Sequence, residues 1–310
     1  MTSRIAADAD VYGTYARISA LADYLEVCAL KGVGVMQSRL ADIIYDNKWQ
    51  LRELMVAPDE DEPEDLGSAQ DLARDAADRV FSTLAERSAE LGELYPFVVG
   101  AESIAVRSGF DVQASPYIAI LALAVAHAHL NCDDPLPHRV LEELVEDVLK
   151  NQLRLAVNFG RISREVAPFE LALQDAASRI GLQATPKAAW RSARAKDERV
   201  DTLCHLSWGD NRAGTWTILG QVTCAKSDEW ERKLDEPKPP AWAEFLGVRP
   251  VPLVFLAVPH HVEAGHLGRL IQSERGIVLD RLRLTRFRRQ PGEDERKLVQ
   301  IVLDAELEPI

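Results

Sequence analysis

The stretch at residues 200–234, VDTLCHLSWGDNRAGTWTILGQVTCAKSDEWERKL, limits the possible folds more than any other part of the chain. Two runs of alternating apolar character, 202–208 and 215–225, flank a segment rich in Gly, Asp and Asn, which is turn chemistry. The pattern predicts an antiparallel hairpin. An acid, Asp201, opens the first strand, and a lone amide, Gln221, sits inside the otherwise apolar second one. A buried amide needs a hydrogen-bonding partner. Beyond the hairpin, Asp228 reads as the N-cap of a short helix that carries Trp230 and Lys233 three residues apart.

Around this hairpin, helical and strand patterns alternate. Residues 163–180 read as a helix with Gly181 as its cap and Glu170 inside it, next to Phe169. Residues 186–199 are polar and basic. Residues 251–258 form an apolar run of eight bounded by prolines, which predicts a strand buried on both faces. A helix over 263–273 and strands over 277–284 and 298–303 complete the reading. This half is α/β with a mixed central sheet.

The first half differs. Apolar residues recur at helical spacing over 11–56, 69–91, 116–130 and 138–155. Ser115 and Pro116 supply an N-cap and a first-turn proline. Residues 94–110 fit either a small strand pair or a long loop. The acidic tract 57–67, with two prolines, reads as an exposed connector. We therefore expect an all-helical domain at 1–160, for recognition, docking or oligomerisation, and an α/β domain at 161–310.

Charge follows the same division. Residues 1–160 hold 27 acidic and 13 basic side chains, and residues 161–310 hold 22 and 23, within a net charge of -13. The total argues against a nucleic-acid coat protein, yet the second half has room for a basic groove. The longest apolar run, 117–130, is shorter than the roughly 20 residues of a membrane span and contains His127 and His129. No basic-then-apolar leader opens the sequence. Four scattered cysteines without a CxxC pair suit a reduced, cytoplasmic protein.

The order of a helix with Phe-Glu, an Asp at a strand start, a hairpin into a strand with a polar residue, and a further helix resembles the PD-(D/E)XK nuclease superfamily. The Mrr-like restriction endonuclease group, where glutamine replaces the second acid, is the nearest variant. LGQVTCAKSDEWERKL also resembles a strand-plus-helix pattern of bacterial proteins found among anti-phage defence genes. The resemblance covers roughly 163–284. It implies a restriction-endonuclease-like α/β domain, DNA as substrate, and Mg²⁺ (or Mn²⁺) held by Asp201, Gln221 and Glu170, with Glu142, Glu143 and Glu165 as rival helical acids. Hard oxygen ligands suit magnesium, which would generate the attacking hydroxide. The departure lies at the lysine. Side chains two apart on a strand share a face, but Thr223 follows Gln221 at that spacing. Lys233, with Lys226 behind it, is the substitute. A chain in which neither lysine reaches the metal would instead bind nucleic acid or act as a scaffold.

Two further clusters need assignment. His260, His261 and His266 lack the HExxH order and read as residues of a helix start or of a loop beside the active edge. Arg281, Arg283, Arg286, Arg288 and Arg289 form the strongest basic cluster. Arg281 and Arg283 alternate along the expected strand, as phosphate contacts or as charges that protect a sheet edge. Loops for nucleotide phosphates and hydrolase elbows are absent from the sequence. DNA and a protein partner, or a second copy docked through the helical half, are the expected partners.

Overall fold

The computed structural model describes residues 4–47, 68–190, 198–210, 212, 214–272 and 276–308. The acidic tract 57–67 and residues 191–197 of the basic tract 186–199 lie outside them. So do Asn211 and Ala213 of the hairpin turn.

Five strands form the central sheet: β4 (Leu155–Asn158), β5 (Thr202–Leu206), β6 (Trp216–Val222), β7 (Leu253–Ala257) and β8 (Ile277–Leu279), in that spatial order. The first three make an antiparallel meander, and β7 and β8 add in parallel to β6. The sheet is mixed, as the sequence predicts.

Alternation along the strands decides which layer each side chain enters. Val157, Leu203 and Leu219 share a core with α6 (Phe159–Glu165), α7 (Phe169–Arg179) and α9 (Pro239–Leu246), where Phe159, Phe169 and Trp242 pack edge to face. Their neighbours Ala156, Cys204 and Val222 enter a larger core with the helices of the first half. Those helices are α1 (Arg17–Leu30), α2 (Gln37–Asp46), α3 (Ala69–Leu91), α4 (Pro116–His129) and α5 (Pro137–Leu153). Helix α4 is apolar all round and buried along most of its length, as such a helix must be. A third cluster joins Tyr12, Trp230 of α8 (Trp230–Asp235), Val254, Leu256 and Leu270 of α10 (Ala264–Gln272). Among the described residues no helix is long and apolar enough to cross a membrane.

The packing does not divide at residue 160. The sheet begins at Leu155, and helix α12 (Glu293–Asp304) lies along α4. Short strand β1 (Arg4–Ile5) pairs in parallel with β9 (Glu306–Leu307). The first half is also not wholly helical, because β2 (Phe97–Val99) and β3 (Ile104–Val106) form an antiparallel pair over the ambiguous 94–110 region.

Several expected elements change type. The helix over 163–180 is two helices, α6 and α7, separated at Val166–Pro168; proline cannot continue a helix interior. The strand over 277–284 ends at Leu279, because the Asp280 carboxylate accepts the Arg283 backbone N–H at 3.1 Å and caps helix α11 (Arg281–Phe287). Residues 298–303 belong to α12 and form no strand. Leu298, Val299 and Val302 lie on one helical face, and the Gly292 N–H donates to Glu295 at 2.5 Å to start the helix.

Candidate functional site

The hairpin aligns Thr202 with Gly220, so Asp201 stands across from Gln221 at the end of the sheet where β4 and β6 finish and β5 begins. The Asp201 N–H donates to the Gly220 carbonyl at 2.8 Å, and one Asp201 carboxylate oxygen accepts the Val222 N–H at 2.8 Å. Gln221 is buried, and its amide donates to the Arg199 carbonyl. That bond fixes an unusual approach to Asp201: Glu198 and Arg199 both hold left-handed backbone, at φ of 48° and 62°. The Phe255 ring rests on Gly220, where a Cβ would fall 2.0 Å from it. Only glycine permits this contact beside Gln221.

Helix α6 meets the same spot. Asn158 caps it, accepting the Arg161 N–H at 2.7 Å, and the Gly160 N–H donates to the Asp201 carbonyl at 2.9 Å. Arg164 then forks onto Glu142 of α5, with bonds of 3.1 and 2.6 Å. Glu142 is buried while the Arg164 side chain stays 43% exposed. Arg161 is held separately, by Glu146 at 3.4 Å. Arg164 Nη1 and Asp201 Oδ1 lie 3.4 and 3.5 Å from one point, the place a Cβ on Gly160 would take. The acid brought to this end of the sheet is thus Glu142. Glu170 accepts from Gln174 one turn along its own helix, and Glu165 and Glu143 are not at the fork.

Both lysines are engaged elsewhere. Lys226 donates to the Asp10 carbonyl at 3.1 Å, and Lys233 lies 3.5 Å from Glu236. Asp228 does not cap its own helix. Its carboxylate accepts the Thr14 N–H at 3.0 Å, while the Ser227 hydroxyl accepts the Tyr15 N–H at 3.0 Å. Residues 226–228 thereby clamp the segment at 10–15. Gly13 is required there: its φ is 88° and a Cβ would fall 2.2 Å from Asp228. Trp230 is fully buried, donates to the Ala225 carbonyl at 3.0 Å and stacks on His266 and His260, with centroids 5.4 and 5.8 Å away. His260 and His266 therefore pack around Trp230, while His261 Nδ1 accepts the Arg87 Nε–H at 3.3 Å. Burial, with Arg281 next, lowers the His260 pKa to about 3, so this imidazole is neutral.

The arginine cluster is not a strand surface. Arg281 is wholly buried and binds Asp23 through two nitrogens, at 2.7 and 2.5 Å. Arg87 of α3 joins the same Asp23 at 2.8 Å and Glu26 at 3.0 Å. Tyr95 and Tyr117 donate to Glu26 at 2.7 and 2.8 Å. Burial alone would raise the Asp23 carboxyl, but Arg281 and Arg87 hold it well below the usual carboxylate range. Arg288 is spent on Glu295 and Asp147, at 2.5 and 2.9 Å, and Arg286 pairs with Glu90. Arg283 donates to the Val278 carbonyl of the last strand in the sheet, β8.

A divalent cation at this sheet end would need several free hard oxygens. One Asp201 oxygen is taken by a backbone N–H, both Glu142 oxygens are taken by Arg164, and Glu170 is turned to Gln174. A guanidinium stands among them, so this arrangement does not fit the ion. The pairing of Glu142 with Arg164 and the network of Asp23, Glu26, Arg87 and Arg281 went unseen in the sequence. The one signal for the network was two acids three apart inside the apolar helix α1. Comparison with family models, curated proteins and solved structures finds no significant match to this chain.

Proposed function

We propose that this chain is a nuclease-like module that does not cut, and that it serves as a binding or scaffolding subunit of a bacterial defence assembly. The observation that carries the reading is the fate of the two lysines. Hydrolysis of a phosphodiester needs a cation beside the attacking water, and Lys226 and Lys233 make their polar contacts with Asp10 and Glu236. Arg281, Arg283, Arg286 and Arg288, four of the five clustered arginines, are also engaged within the chain. This favours a protein partner over a nucleic-acid groove. The resemblance to PD-(D/E)XK nucleases is supported by the order of parts: a helix with a buried acid, the meander β4–β5–β6 with Asp201 and Gln221 on adjacent strands, a helix, and a parallel strand.

A second reading keeps the enzyme. Asp201 and Gln221 face each other across one hairpin, which favours Mg²⁺- or Mn²⁺-dependent DNA hydrolysis. Plasmid incubation with either ion separates the two. The expected result is no cleavage by wild type, with co-purification of a protein partner from the native host. Cleavage that Asp201→Ala abolishes would overturn the proposal in favour of the enzyme. Its dependence on Lys233→Ala would then place the lysine.

A further inference from the structure

We propose that Arg164 is the resident cation of the Asp201 site, standing in for a divalent metal. The inference rests on the site assigned above but not on whether the chain cuts DNA. A carboxylate buried as deeply as Glu142 must be neutralised. Here the neutralising group is a planar fork, the geometry that guanidinium and carboxylate share. Nη1 of that fork sits 3.1 Å from Glu142, and it shares with Asp201 the edge of the small space above Gly160. The guanidinium that neutralises the acid on α5 thus borders the same point above Gly160 as the acid at the start of β5.

The arrangement is built from three sides. Asn158 caps α6, and the Gly160 N–H ties the helix to the Asp201 backbone. Arg164 therefore projects from a helix whose first turn is fixed against its neighbour. Arg161, on the same helix, is held by its own acid and leaves this position to Arg164. A metal ion entering the space would meet a positive charge within hydrogen-bonding distance of one of its ligands. Like charges at that range repel strongly in a partly buried setting. The fork neutralises Glu142 without metal, and the arginine excludes the ion.

The test is Mn²⁺ binding by the full chain, followed through the electron paramagnetic resonance of free Mn²⁺. Wild type is expected to show no Asp201-dependent binding. Arg164→Ala should take up one Mn²⁺ at least tenfold more tightly, and adding Asp201→Asn should remove the gain. Arg164→Lys keeps a charge and should behave as wild type. Circular dichroism confirms folding, and Arg164→Gln carries the test if the alanine variant does not fold. One Mn²⁺ bound by wild type and lost with Asp201→Asn would overturn the proposal. A folded Arg164→Ala or Arg164→Gln that binds no better than wild type would overturn it equally. Plasmid cleavage by wild type would refute the non-cutting reading and leave these binding results to be judged on their own.

Discussion

Two guanidinium–carboxylate clusters in this chain use the same chemistry at different depths. Around Asp23, the side chains of Asp23, Glu26, Arg87 and Arg281 are at most 2% exposed, and two tyrosines and a serine complete their hydrogen bonds. Two positive and two negative charges cancel, and α1, α3 and α11 meet there. Around Asp201, Glu142 is buried but its partner Arg164 stays 43% exposed. The first cluster joins the two halves of the chain, and its members come from positions more than 250 residues apart. The second is local, faces solvent and lies at a sheet end. Burial is what separates a structural network from a site that remains open to another molecule.

The largest expected effect tests the buried member of this pair. Arg281→Ala would leave Asp23 without its two-bond partner inside the core. Removing one partner of a buried pair costs about 3–5 kcal/mol. A fall of that size in the urea unfolding free energy is expected, while Arg164→Ala should cost less, because the guanidinium is 43% exposed and water can reach the carboxylate it leaves. Equal losses at the two positions would erase the distinction drawn here.

Gly220→Ala comes next. The new methyl would fall 2.0 Å from the Phe255 ring, so the ring or strand must shift. Overpacking of this kind costs about 1–3 kcal/mol. The same variant should disturb the Gln221 amide and Asp201, which a loss of protection of the Val222 amide in hydrogen exchange would report. Destabilisation without that local change would uncouple the core from the site.

Much of this fold is written in local pattern. The hairpin, the buried strand β7, the Ser115 cap and the helices of the first half follow from alternation, periodicity and turn residues. Residues 298–303 misled because a short apolar run fits strand and helix alike, and only the Gly292–Glu295 start settles it. The arginines misled for a different reason. Asp280 ends β8 and turns Arg281 inward toward acids near residue 25, a pairing set by tertiary packing that spacing cannot express. Asp201 and Gln221 were legible as neighbours through the hairpin register. Arg164 was not, because its meaning depends on Glu142 arriving from another helix.

Acid should also cost stability through the imidazoles beside the buried cluster. His260 titrates near 6.5 when unfolded and at about 3 in the folded chain, because burial and Arg281 disfavour its charged form. The unfolded chain therefore binds the extra proton below pH 6.5, and stability falls as pH drops from there toward 3. By pH 5.5 the loss from this imidazole is about 1.4 kcal/mol. His261 is lowered by burial and by Arg87, and it adds in the same direction. Asp23, held low by the arginines, stays charged through this window and contributes only near the bottom of the pH scale. Urea midpoints at pH 7.5 and 5.5 check the sign. His260→Phe should flatten the dependence, and an unchanged slope would remove His260 from the argument.

The smallest effect concerns Arg286, an exposed arginine of the basic cluster at 281–289. Arg286 is half exposed, and its carboxylate contact is with Glu90 on α3 at 3.3 Å. Exposed pairs of this kind contribute about 0.2–1 kcal/mol. Arg286→Ala should therefore shift the unfolding free energy by under about 1 kcal/mol. A phosphate contact would show itself differently. Removing one lowers the slope of log binding constant against log salt by about 1 for duplex DNA. Under the scaffolding reading, DNA affinity and its salt slope should be the same for Arg286→Ala and wild type. A lowered slope would restore a nucleic-acid face at this helix. It would also place that face on the outer rim of the buried cluster.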